Sequence, residues 1–158
     1  MLAFLVLSSA IALAYLGVSI KVSGGIPVSL SDAYYKLGSR KWLFQVGMVS
    51  VAVTLYPAWV SVSSEGLVGL AFASCVSLLF VAASPCFREE LQGKVHYSAA
   101  TVCCLCVFLW QTLEGLWDVA LWFAFLAGMQ TLHDKNKWCW WLEIAVIGSL
   151  YLNLFSIL

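Results

Sequence analysis

The chain is a series of long apolar runs divided by short polar segments, and each run is close to the length that crosses a lipid bilayer. The first passes from position 2 to 20 without a charged side chain, Lys21 being the first. A bilayer-crossing helix needs about 20 predominantly apolar residues. In lipid every backbone N–H and C=O must be satisfied inside the protein, which leaves helices or closed barrels, and runs of this length are helical. The expected fold is therefore all-α: a polytopic membrane protein with a single domain over 1–158. It forms one bundle of six transmembrane helices, with spans at about 2–20, 42–63, 67–84, 96–113, 118–132 and 138–158. Composition excludes a soluble domain. The chain is 63% hydrophobic and 10% charged, against about 45–50% and about 25% in soluble proteins.

The first run is read as a helix that stays, because no basic segment precedes it and further spans follow, unlike a cleaved signal peptide. Gly24-Gly25 and Pro27 break the chain after it. Ser31 or Asp32 is then placed to cap a short turn bearing Tyr34 and Tyr35, a tyrosine pair suited to a membrane edge. Pro57 lies within the second span, where it frees a carbonyl. The third span is rich in Gly, Ala and Ser, which let helices approach closely in lipid. Residues 87–95 read as a charged loop, with His96 opening the fourth span.

Orientation follows from counting charges. Lys21, Lys36, Arg40 and Lys41 fall in the first loop, Arg88 and Lys94 in the third, Lys135 and Lys137 in the fifth; these are all 8 Lys and Arg residues. Positive charge stays in the cytoplasm, so the odd loops are expected inside and both termini extracytoplasmic, in the inner (plasma) membrane. A net charge of zero gives no argument for nucleic acid. The paired Lys-Trp steps at Lys41-Trp42 and Lys137-Trp138 open non-equivalent spans, so an inverted repeat of the transporter kind is not expected.

Chemistry rests on polar side chains inside the spans, each costly in lipid unless paired or wet. Glu143 lies six residues beyond Lys137, about 9 Å along the helix at 1.5 Å per residue. His96, Gln45, Gln130, Tyr34 and Tyr35 are expected at similar depth on the same side. These six residues make the candidate ligand-binding set. A buried carboxylate beside an imidazole could hold a proton, a cation or a headgroup amine. The competing reading makes Glu143 a structural clamp bonded to Gln45 or His96. The six cysteines lie mostly in apolar runs without the spacing of a disulfide scaffold or zinc set, and read as packing residues. No phosphate loop, metalloprotease helix or nucleophile elbow is present, so neither metal nor cofactor is expected.

Ser29-x-Ser31-x-x-Tyr34-Tyr35 before the second span, Pro85-x-Phe87, His96 opening the fourth span and Trp140-x-x-Glu143 together resemble small uncharacterised six-helix membrane proteins of bacteria and their phages. The resemblance implies architecture and marks positions on the cytoplasmic side; it carries no established activity. The expected function is non-enzymatic binding of a small ligand, lipid headgroup or protein partner at a polar, cytoplasm-facing cavity. Membrane lipids, a second copy of the chain or another membrane protein are the expected partners. The alternatives are a small oligomeric transporter or channel and, further off, a lipid-modifying enzyme using Glu143 and His96 as acid and base.

Overall fold

A computed structural model describes residues 1–158, the side chain of Glu89 excepted. It is 86% helical, with no strand among the described residues. The helices are α1 (Leu2–Ser23), α2 (Asp32–Lys36), α3 (Trp42–Val60), α4 (Val68–Ala83), α5 (Glu89–Leu113), α6 (Trp117–His133) and α7 (Trp138–Ile157). Five of them, α1, α3, α4, α5 and α7 with their flanking turns, are long and apolar enough to cross a membrane. α6 has 17 residues and none of them is buried.

Neighbouring helices pack in the circuit α1–α3–α4–α5–α7–α1, with α6 laid on the outside of α7. The small-residue helix α4 sits between α3 and α5, burying Ala71, Ser74, Cys75 and Ser77. Gly47 of α3 faces Tyr15 of α1; a Cβ there would lie 3.4 Å from the ring, so its absence gives the tyrosine room. Gly148 of α7 receives Phe123 of α6, whose ring would collide with any Cβ. One side chain thus keys the outer helix onto the ring.

Two cores form, one toward each end of the bundle. One gathers Leu5, Leu55, Trp59, Ala71, Val107, Trp110, Leu150 and Leu154. The other gathers Tyr15, Ala33, Leu37, Phe44, Val81 and Ala99.

The expected loop at 87–95 is corrected. The link after the Ser84–Cys86 3-10 turn is only Phe87 and Arg88, both extended, and α5 starts at Glu89. The Arg88 carbonyl accepts from the N–H groups of Leu91 and Gln92 at 2.8 and 2.9 Å, closing the first turn. Glu90, Leu91 and Gln92 favour helix, and one Gly93 does not offset them. Polar residues on a helix that emerges from lipid look like a loop in hydropathy alone. His96 therefore lies two turns inside α5.

Candidate functional site

The site is organised by the segment 24–31, here termed the strap. α1 ends where Gly24 takes a left-handed conformation (φ 66°), with Gly24 N–H and Gly25 N–H bonded back to Lys21 and Ile20 carbonyls. Such an ending suits glycine, which has no Cβ to clash. The strap then turns back against α7. Val28 C=O accepts from Trp140 N–H at 3.0 Å, one of the first-turn donors that α7 cannot satisfy internally. One turn deeper, Glu143 Oε2 accepts from Leu30 N–H at 2.7 Å. Leu30 C=O in turn accepts from Tyr15 Oη–H at 3.2 Å. The strap is thus fastened to α1 and α7 at once.

The strap leads directly into α2. Ser31 occupies the N-cap position, but its side chain makes no capping bond. The Ser29 hydroxyl takes that part, accepting from Asp32 N–H at 3.1 Å. The turn delivers Tyr34 and Tyr35 as a perpendicular pair, centroids 5.3 Å apart at 88°. Gln92 of α5 donates to Tyr35 Oη at 3.1 Å. Between α2 and α5 lies a recess of about 270 Å³ with a mixed polar and aromatic wall, bordered by Asp32, Tyr34, Tyr35, Gln92, His96 and Tyr97 among others.

His96 is anchored from α4's end: its Nδ1 lies 3.1 Å from Ser84 Oγ, which also reaches the Val81 C=O at 2.8 Å.

Beneath the recess, between the two cores, is a chamber of about 440 Å³ with a mainly apolar wall from α1, α3, α4, α5 and α7. Glu143 and His96 both line it, and Ser31, Phe44 and His96 border recess and chamber alike. Leu13 of α1 and Leu152 and Phe155 of α7 stand on the rim and are 65%, 53% and 40% exposed, so the chamber opens sideways between α1 and α7. Trp59 also lies on its wall, fully buried, with an indole N–H that has no partner among the described residues.

The six expected site residues separate into three groups. Tyr34, Tyr35 and His96 meet at the recess; Glu143 lies on the chamber wall with His96. Gln45 lines neither space, its amide donating to Cys86 Sγ at 3.3 Å. Gln130 is exposed on α6 and borders neither. Glu143 is bonded to Leu30 rather than to Gln45 or His96, so the expected clamp between helix side chains is replaced by one to the strap backbone. The strap, Asp32, Ser84 and Gln92 were not singled out as site residues. Gly24-Gly25-x-Pro27 does signal a break, but nothing in it says where the chain goes next.

At the opposite end the polar side chains bond to one another or to backbone. Gln111 and Ser149, both buried, bond at 3.1 Å, and Asn153 Nδ2 donates to Leu116 C=O at 3.2 Å. Trp110 Nε1 donates to Ser63 Oγ at 2.8 Å, and Trp59 and Trp110 pack edge to face at 5.4 Å. Glu114 accepts from Ser64 N–H at 2.6 Å and Ser64 Oγ–H at 2.9 Å. No group of three or more His, Cys, Asp or Glu converges among the described residues. In the loop before α7, Lys137 pairs with Asp134 at 2.8 Å and holds its carboxyl below the usual carboxylate range.

The chain matches no protein-family model, no curated protein and no solved structure. Its chemistry is read from the side chains themselves.

Proposed function

We propose that the protein is a six-span protein of the inner membrane, both termini extracytoplasmic, that binds an amphipathic small molecule without transforming it. The polar part occupies the recess at the cytoplasmic end and the apolar part the chamber below. α6, at 17 residues, falls within the range of about 17–25 that spans a bilayer. The clustering of all 8 Lys and Arg residues in alternate loops supports the orientation.

The observation that carries the binding reading is the shared wall. Ser31, Phe44 and His96 face both a space with several polar groups on its wall and an almost wholly apolar one, so a single molecule with a polar head and an apolar tail would contact all three. Both volumes together suit a small ligand, and a mainly apolar lining with a few placed polar groups is the usual make-up of such sites. The sideways opening between α1 and α7 gives lipid-dissolved molecules a route in. Gln111 and Asn153, bonded to protein partners at the far end, support binding over passage across the membrane.

The test is native mass spectrometry with lipid extraction of protein purified in a neutral detergent. An amphiphile should be retained at near-equal stoichiometry. Ala100→Phe, which builds a ring into the chamber from α5, should displace it. Retention of nothing by the wild type, or equal retention by the filled variant, would refute the reading.

A further inference from the structure

We infer that the recess selects a cationic amine headgroup. The inference rests on the amphiphile reading above and adds the chemistry of the head. Asp32 is the one acidic side chain bordering the recess, and no Lys or Arg does so among the described residues. Asp32 is balanced by Lys36 at 2.6 Å, a 39% exposed side chain four residues along the same helix that does not itself border the recess. Pairs of this kind contribute little, so an ammonium in the recess can compete for the carboxylate, whereas a phosphate or carboxylate head would face it across the recess.

The aromatic groups point the same way. Tyr34 and Tyr35 stand perpendicular on one side, and His96 and Tyr97 form a second perpendicular pair, at 5.7 Å and 83°, on the α5 side. All four border the recess. Aromatic faces attract ammonium groups through the ring quadrupole, and several rings around a small space are a known means of ammonium recognition. Tyr34 already receives one cation: Lys41 Nζ lies 5.1 Å from its centroid.

The experiment uses full-length protein in neutral detergent and four probes measured by native mass spectrometry: dodecylamine, dodecanol, dodecyl phosphate and lysophosphatidylethanolamine. Dodecylamine should bind about tenfold more tightly than dodecanol, and dodecyl phosphate most weakly. Asp32→Asn should bring dodecylamine down to the level of dodecanol, and Tyr35→Leu, at an exposed position, should lower it without changing dodecanol. Lysophosphatidylethanolamine binding as well as dodecylamine places the ammonium on a membrane lipid. Dodecylamine binding alone places it on a free amine; both outcomes uphold the inference. Equal binding of amine and alcohol, with both lost in Ala100→Phe, overturns the headgroup inference while the chamber reading survives. Preference for dodecyl phosphate also overturns it. If no probe binds and Ala100→Phe changes nothing, the amphiphile reading fails too.

Discussion

Each end of the bundle carries a glutamate that accepts a backbone N–H from a distant segment, and the two are nearly matched in length. Glu114 holds Ser64 at 2.6 Å and Glu143 holds Leu30 at 2.7 Å. Their surroundings differ. Both oxygens of Glu114 are used on one exposed serine, above a floor sealed by Trp59 and Trp110. Glu143 uses one oxygen on the strap and stands on the wall of a chamber. The same bond therefore closes one end and holds the other open. What distinguishes them is the partner: a turn that lies flat on its helices, or a strap that leaves room beneath it.

The comparison breaks most visibly if the sealed end is unsealed. Trp110→Ala removes a fully buried ring, its packing on Trp59 and its bond to Ser63. Loss of about 3–5 kcal/mol is expected, seen as a large fall in thermal midpoint in detergent. A fall of less than a few degrees would show that this end is not the tighter one.

Glu143 offers a paired measurement. Glu143→Leu leaves the Leu30 N–H without its acceptor in a half-buried place, at a cost of about 1–3 kcal/mol. Glu143→Gln keeps an amide oxygen for that N–H and should retain most of the stability. Thermal unfolding with hydrogen exchange at the Leu30 amide reads both. Equal loss in the two variants would mean that charge, not the bond to the strap, is what matters.

Glu114→Ala, the matched change at the other end, should cost less, about 1 kcal/mol, because water reaches the exposed Ser64 groups it leaves. A loss exceeding that of Glu143→Leu would reverse the comparison.

The smallest effect belongs to Asp134. Its carboxyl is held low by Lys137, so the folded value lies beneath the unfolded one. The stabilisation it gives is whole above the unfolded value of about 4 and fades as pH falls through the lowered folded value. Thermal midpoints of wild type and Asp134→Asn should differ slightly at neutral pH and converge in acid. A gap that widens in acid would contradict the pairing.

Much of the helical architecture is written plainly in the sequence because long apolar runs have few alternatives to helix. The run 2–20 is one, and α1, long and apolar enough to cross a membrane, occupies it. The polar start of α5 escapes a hydropathy reading because polar helical turns have the hydropathy of a loop. Tyr34, Tyr35 and His96 were legible as neighbours through their shared depth. Depth does not give azimuth, and that misplaced Gln130. It lies exposed on a helix that packs mainly against α7, outside the ring. The partner of Glu143 was beyond reach for another reason. Every residue except proline offers the same backbone N–H, so nothing in the letters around Leu30 marks it as the donor.

The strap has a consequence for the order of assembly. Leu30 and Glu143 are 113 residues apart, and Val28 likewise waits for Trp140. During synthesis the strap emerges with α1, long before α7 is made, and its amide and carbonyl must find other partners, such as water, until then. The roof of the chamber is set only when α7 arrives. α1, α3, α4 and α5 can meet beforehand, but the wall of the chamber is completed only by the docking of α7.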